Sequence, residues 1–434
     1  MSEKLSRKSI LFIALFSLAG EIAWAVENQY YNVFLYNVIS PNPIYISIMV
    51  AVTTTVGTIA TIIMGSYSDV IGKRKPLLLY GFILWAITTA IFPLSAFFTF
   101  VSVGFAVFLA IFFDSVMTFF GGTAKNAGVN SYITDITTLN NRSKAVGVGQ
   151  MMTLVALLIV YGASGFLINL FGYYIFFYII GALVGVFGII AGIYMEEPDS
   201  IEPLEVSTWE HIRNTFKKEN FSDYRNFIMV LLVICVWQIG LNTFFPFILI
   251  YLQHNIGLSI EISSIVVFIA ILASIIFSYP IGALTDKLGR KKVTLIAVLF
   301  FSFSVFLFGL ASELIFLLLT GIMWLFGYTS LSIATFSWIK DLYPDTGRGQ
   351  FSGYWNLFAG TIPMVIGAPL GGWLATQFGF EKVIDGRLAQ VPGSTMFIVG
   401  AIIILLTLIP LIFAKEFKKE PKKGDVKAPP LDKF

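Results

Sequence analysis

Charge is scarce in this chain of 434 residues: Asp, Glu, Lys and Arg together make up 12%, where a soluble domain carries about 25%. Cysteine is scarcer. The single Cys235 lies in an apolar run, so no disulfide framework is available. The two histidines, His211 and His254, sit far apart in connecting segments and make no zinc-type spacing with it. There is no nucleophile–base pair, metal set or phosphate loop, so neither an enzyme, a metal site nor a cofactor is expected. The net charge of +3 comes without a basic face, which argues against a nucleic-acid partner. The first apolar stretch, from Ile10, is too long for a cleavable signal and no small-residue cleavage site follows it, so it is expected to remain as an anchor.

Apolar residues are what the chain has in abundance. They form 57% of it, Phe alone occurs 43 times, and the mean hydropathy is +0.84. Only a bilayer accommodates that much apolar surface. A spanning helix needs about 20 mostly apolar residues. Twelve segments meet that need, at roughly 10–36, 45–67, 77–97, 102–134, 144–170, 173–195, 226–252, 261–283, 293–311, 314–340, 349–377 and 394–414. The boundary between the third and fourth is the least marked, because 92–113 has almost no polar punctuation.

Basic residues set the orientation. With the N-terminus in the cytoplasm, all but three of the 28 Lys and Arg fall in inner loops and tails. The exceptions are Lys382 and Arg387 outside and Lys125 within a membrane segment. Both termini are therefore expected in the cytoplasm, and the chain in the cell (inner) membrane as a multi-pass, lipid-embedded protein.

The chain also repeats itself. Gly65-x-x-x-Asp69-x-x-Gly72-Lys73-Arg74-Lys75 matches Gly282-x-x-x-Asp286-x-x-Gly289-Arg290-Lys291-Lys292 at one constant offset, half the chain length. Asp135 and Arg142 match Asp341 and Arg348 at a second offset, which Gly147 and Gly353 also obey. An all-α membrane protein of two pseudo-symmetric six-helix halves follows. The halves are 1–195 and 226–414, with a linker at 196–225 and a basic tail at 415–434. In the linker, Ser207-Thr208-Trp209-Glu210 reads as a capping box that opens a short amphipathic helix, with Trp209, Ile212 and Phe216 on one face.

The doubled Gly-Asp-Gly-basic loop resembles the signature loop of the major facilitator superfamily, and the resemblance covers the whole membrane region. It implies a monomeric transporter that rocks its halves about a midplane site for a small-molecule substrate. It also implies conformational latches built from Gly65, Asp69, Gly72, Arg74, Gly282, Asp286, Gly289 and Arg290, joined by Asp135, Arg142, Asp341 and Arg348. Val70 stands where a basic residue is common, which is expected to weaken the N-half latch. Gly367-Ala368-Pro369-Leu370-Gly371-Gly372 is similar to a Gly-Pro-rich element of drug antiporters, but that element belongs in the fifth segment, where only Gly162 and Gly165 occur. Close packing and bending of the eleventh helix are expected instead.

Ionisable groups are costly in a bilayer, and four fall inside it: Glu21 and Glu27 in the first segment, Asp114 and Lys125 in the fourth. The resemblance places both segments on the central cavity. At 1.5 Å per residue, Glu21 lies about 16 Å and Lys125 about 12 Å above the inner end, a depth that fits an ion pair. Asp114, at about 28 Å, shares a more external level with Glu27 and Asn28. Asp114 or Glu27 is then the carboxyl expected to bind and release a proton. Trp24, Asn28 and Asn126, with Gln238, Asn242, Trp324, Tyr328 and Asn356 from the other half, supply the amides and rings of a saccharide site.

The stretches from Gly20 to Asn28 and from Asp114 to Gly121 look similar to a prokaryotic branch related to the sucrose carriers and, more distantly, to the glycoside–pentoside–hexuronide cation symporters. That similarity implies uptake of a sugar or glycoside with a cation. Melibiose-type carriers use second-helix carboxylates for sodium; here that helix has none until Asp69, so a proton is expected. The alternative is proton-coupled efflux of a lipophilic drug or metabolite.

Overall fold

In a bilayer core nothing can satisfy a free peptide group, so the apolar segments fold as helices that satisfy their own. The computed structural model describes residues 6–137, 141–198, 203, 206–215, 225–342 and 353–416. Its membrane-length helices are α1 (Arg7–Ile39), α2 (Pro43–Ile71), α3 (Lys75–Phe100), α4 (Val103–Asp135), α7 (Arg225–Asn255), α8 (Ile260–Leu288), α9 (Arg290–Leu310), α10 (Leu314–Asp341), α11 (Gly353–Phe378) and α12 (Thr395–Phe413). Between α4 and α7 one helical stretch, Arg142–Tyr194, runs for 53 residues. At 1.5 Å per residue that is far longer than a bilayer is thick. It turns at Gly172 (φ 75°, ψ 169°), which divides it into α5 (142–171) and α6 (173–194). Twelve spans result, with the fifth and sixth meeting where the sequence predicts.

Helix ends follow local chemistry. Asn42 caps α2 by accepting from Ile44 N–H, with Pro43 in the first turn. The faint boundary after the third segment is resolved by a 3₁₀ turn, Phe92–Phe100, and by Ser102, whose Oγ accepts from Phe105 N–H at 3.1 Å to start α4. His254 belongs to the last turn of α7 rather than to a connecting loop. In the linker, Glu210 N–H donates to Ser207 Oγ at 3.2 Å and opens the helix Thr208–Thr215, with Trp209 exposed. Phe216, Arg348, the side chain of Arg142 and the tail beyond 416 lie outside the described residues.

The halves α1–α6 and α7–α12 meet along three helix pairs: α1 with α7, α2 with α11, and α5 with α8. Helices in lipid gain little from apolar contact alone, so close backbone approach matters. Two glycines of α11 provide it: a Cβ on Gly371 would stand 2.0 Å from the Thr243 carbonyl oxygen of α7 within the C half, and one on Gly372 would stand 3.1 Å from the Pro43 carbonyl oxygen of α2 across the halves. The Gly-Pro-rich segment therefore packs helices, as expected. Pro246 interrupts α7 with a 3₁₀ turn. The carbonyls of Phe245 and Pro246 accept from Gln29 Nε2 (2.9 Å) and Asn32 Nδ2 (3.3 Å) of α1, so a break in one half is repaired by amides of the other.

These bonds between halves gather toward the end of the molecule away from the termini, here the distal end. A two-stranded antiparallel hairpin, β1 (Phe380–Ile384) and β2 (Arg387–Val391), covers that end. The stretch between the last two spans thus carries structure that the segment pattern leaves as plain loop.

Candidate functional site

A cavity of about 370 Å³ lies between the halves. Its wall is built by α1 (Trp24, Glu27, Asn28), α2 (Thr54, Thr58, Thr61), α4 (Thr118, Asn126, Asn130) and α11 (Asn356, Leu357, Thr361, Met364). It runs down to Asn130 and Gly353, near the termini end. Five of the predicted residues meet here: Trp24, Glu27, Asn28, Asn126 and Asn356. The α2 threonines were missed. Positions 54, 58 and 61 repeat at four and three residues, one helix face, and that spacing was the available signal. Thr58 Oγ1 lies 2.7 Å from Thr361 Oγ1 and Thr54 Oγ1 donates to Met364 Sδ, so this face also joins the halves.

The wall is irregular where it is polar. π-helical turns occupy Glu27–Tyr31 in α1, Gly122–Val129 in α4 and Leu357–Thr361 in α11. Such wide turns occur disproportionately at functional sites, because they re-aim side chains within a helix. The first begins at Glu27 and the second contains Lys125 and Asn126.

Behind the wall, Lys125 Nζ lies 3.2 Å from Glu21 Oε1, the pair that depth arithmetic predicts. Gly20 leaves the room: a Cβ there would stand 2.8 Å from Lys125 Cδ. Of the four charges between the ends of α1 and α4, the two nearest the termini end therefore neutralise each other.

Among the described residues, no cation pairs with the second carboxylate level. Glu27 Oε1 accepts from Thr118 Oγ1 at 2.8 Å, while its Oε2 is buried without a partner. Asp114, 2% exposed, has an unpartnered buried Oδ1, and the Tyr31 hydroxyl is likewise buried and unpartnered. Asp114 stands one helical turn before Thr118, the residue that bonds Glu27. Two carboxyls and a phenol, shielded from water with oxygens uncommitted, are chemically suited to take up a proton or a small cation.

The other four C-half residues lie elsewhere. Gln238, Asn242, Trp324 and Tyr328 are not part of this cavity's wall. Asn242 Nδ2 donates to the Gln238 carbonyl one turn below and its Cβ packs against Gly367. Trp324 is 3% exposed among Phe244, Phe301 and Phe308, and Tyr328 packs against Trp237 and Phe301. Sequence alone identifies polar and aromatic residues on a family-designated helix. It does not say which face the bundle turns inward.

The repeated loops form matched clusters. Arg74 bonds Asp69 (2.7 Å), Asp135 (2.7 Å) and Ser68 Oγ (2.6 Å); Arg290 bonds Asp286 (2.8 Å) and Asp341 (3.1 Å). Glu197 accepts from Arg74 N–H and Glu416 from Arg290 N–H. Lys75 and Lys291 each reach two carbonyls at the ends of α6 and α12. One expectation is corrected. The constant offset pairs Lys73 with Arg290, whereas the structure pairs Arg74 with Arg290, because α3 starts at Lys75 and α9 at Arg290, directly after Gly289. The N-half cluster, with Val70 where the C half has Lys287, has the shorter contacts and the more buried arginine, at 6% against 22%. Burial pushes the Arg74 pKa down, but the bonds to Asp135 and Asp69 outweigh it and hold it above the ordinary value.

A profile described as Major Facilitator Superfamily matches residues 8–250 and 229–432. The chain belongs to that superfamily: it is a multi-pass membrane transporter of small molecules, not an enzyme. Multidrug resistance protein 2 of Bacillus subtilis (strain 168) is 25% identical over 231 residues, covering 53% of this chain and 55% of that protein. An uncharacterized MFS-type transporter of Escherichia coli (strain K12), YdeE, is 26% identical over 140 residues, 32% of this chain and 35% of that one. The chain thus aligns with about half of one relative and a third of the other. Among solved structures, the xylose transporter XylE from E. coli, in a partially occluded inward-open conformation, superposes with a TM-score of 0.66 at 15% identity, over 95% of this chain and 99% of that one. The nucleoside transporter NupG gives 0.64 at 16%, over 94% and 100%. An inward-facing bacterial homolog of the human lysosomal transporter Spinster gives 0.65 at 15%, over 94% of both. At these identities the likeness is one of fold.

Proposed function

We propose that this chain takes up a small, uncharged, hydroxyl-rich solute, a sugar or glycoside, together with a proton. The observation that carries this reading is the cavity wall, where amide, hydroxyl and carboxyl side chains outnumber apolar ones and a single Trp offers a flat apolar face. That is the chemistry for gripping hydroxyls around a weakly apolar ring. The sucrose-carrier-like stretches of α1 and α4 support the same solute class, and a xylose transporter among the fold neighbours is compatible with it. The coupling group is the Glu27–Asp114 pair. Two buried carboxyls without a cation are far more stable sharing a proton than carrying two charges. Glu27 lies on the wall and Asp114 behind it, so substrate and proton meet at Glu27. The basic loops support a cytoplasmic termini end, and the cavity reaches toward that end.

A second reading, proton-driven efflux of a lipophilic compound, is favoured by the 25% identity to a multidrug resistance protein and by Leu357 and Met364 on the wall. Proteoliposomes separate the two. Under an imposed proton gradient, labelled disaccharides and monosaccharides are offered in parallel with a lipophilic cation dye. Gradient-driven accumulation of one sugar is the expected result. Proton-driven movement of the dye with no sugar accumulating overturns the uptake reading.

A further inference from the structure

Two basic residues break the charge pattern that orients this chain, Lys382 and Arg387, and both stand in the distal hairpin. The turn between the strands is Asp385-Gly386, both left-handed (φ 49° and 74°), with Ile384 paired to Arg387. A two-residue turn of that hand matches the natural twist of the strands and makes a stiff ribbon.

Each cation caps a helix. Arg387 Nη1 donates to the carbonyls of Val38 (3.1 Å) and Ile39 (3.4 Å), and Nη2 to that of Asn37, the last three residues of α1. Lys382 Nζ donates to the His254 carbonyl, at the end of α7, at 3.1 Å. Carbonyls at a helix C-terminus have no partner within the helix and carry the negative end of its dipole, so a cation there satisfies both demands. This explains why positive charge is placed on the side where topology disfavours it.

The two grips are not equivalent. The hairpin is continuous with α11 and α12, so the Lys382 bond stays within the C half and survives a rigid rotation of one half against the other. The Arg387 bonds cross to the N half. So do those from Tyr36 OH to the Gln390 carbonyl (2.8 Å) and from Gln390 N–H to the Pro41 carbonyl (3.0 Å). These must break before the distal ends can part. We infer that the hairpin is a clasp on the distal gate, anchored on α7 by Lys382 and closed onto the carbonyl end of α1 by Arg387, and that opening to the distal side requires its release. The clasp lies outside the substrate cavity, so its action does not depend on which solute is carried.

The test reads conformation rather than transport. In a Cys235→Ser background, spin labels at Val101→Cys and Ser312→Cys, exposed positions beside α4 and α10 on opposite halves of the distal end, report the gap by electron–electron resonance in lipid nanodiscs. The native clasp gives one dominant short distance. Arg387→Gln is expected to raise the ratio of distal-open to distal-closed molecules by about tenfold, and Arg387→Lys, which keeps the charge but not the fork, by less. A distribution for Arg387→Gln that superimposes on the native one, in a monodisperse protein, overturns the clasp. If that variant does not fold, Tyr36→Phe removes a single crossing bond and must shift the distances the same way by a smaller amount; no shift there refutes the inference.

Discussion

Between their ends, α1 and α4 of the N half carry Glu21, Glu27, Asp114 and Lys125, whereas α7 and α10 of the C half carry Gln238, Asn242, Trp324 and Tyr328 and no charge. The fold is repeated but the chemistry is not. The N half holds one compensated ion pair and one uncompensated acid level against the cavity. In the C half, a T-shaped and stacked aromatic core around Trp237, Trp324 and Phe301 fixes the same helices by packing. A duplicated bundle thus separates two jobs. On the proposed reading, one half changes its charge state during a cycle, and the other gives it a stiff surface to rock against.

The largest effect that would break this division is on coupled transport. Asp114→Asn keeps the shape of the acid level and removes a carboxyl of the pair proposed to bind the proton. Accumulation driven by a proton gradient is expected to fall by about a hundredfold or more, while exchange of labelled for unlabelled solute without a gradient persists, since positioning a proton-binding group contributes rate factors of that size. Asn242→Ala, in the C half at similar depth, is expected to change accumulation less than threefold, because Asn242 spends its amide on its own helix. Equal losses from both variants would remove the distinction.

Next in size is the compensated pair. Lys125→Met leaves Glu21 half-buried opposite an apolar chain and is expected to cost about 3 kcal/mol, seen as a clear drop in the melting temperature of the purified protein. The double variant, Glu21→Gln with Lys125→Met, is expected to recover most of it, because the expensive species is the lone charge rather than the absence of the pair. A double variant as unstable as the single one would mean that Lys125 acts through its stem against Gly20 and not through its charge.

How much of this was legible follows from where the constraints are local. Spans and their number were readable because a bilayer imposes length and hydropathy on every segment separately, and the Gly172 turn fell where the pattern paused. The Glu21–Lys125 pair was readable because depth in a membrane is nearly one-dimensional, so counting residues along two antiparallel helices locates partners. Rotation about a helix axis is not so constrained. Asn242 and Trp324 face packing partners instead of the cavity, and Thr54, Thr58 and Thr61 face the cavity although no charge marks that stretch of α2. The hairpin was written plainly in Asp385-Gly386, the strongest short hairpin signal, but a search tuned to apolar runs passes over an extramembrane turn.

The smallest expected effect sharpens the comparison where the halves are most alike. Arg74 and Arg290 hold equivalent clusters, yet Arg74 is 6% exposed with both contacts at 2.7 Å, and Arg290 faces an Asp286 that is 74% exposed. Ion pairs in water contribute about 0–1 kcal/mol, while removing one partner from a buried network leaves charges stranded. Arg74→Ala takes the guanidinium bond away from Asp135, at 18% exposure, and leaves Ser68 without that donor. It is expected to cost about 2 kcal/mol, and Arg290→Ala under about 1 kcal/mol, by melting temperature in the same detergent. High salt should narrow the effect of Arg290→Ala and leave that of Arg74→Ala almost unchanged, since ions screen exposed pairs and do not reach buried ones. Equal losses, equally sensitive to salt, would mean that the two loops serve as plain topology signals, and that burial in the N half adds nothing to the basic residues both loops share.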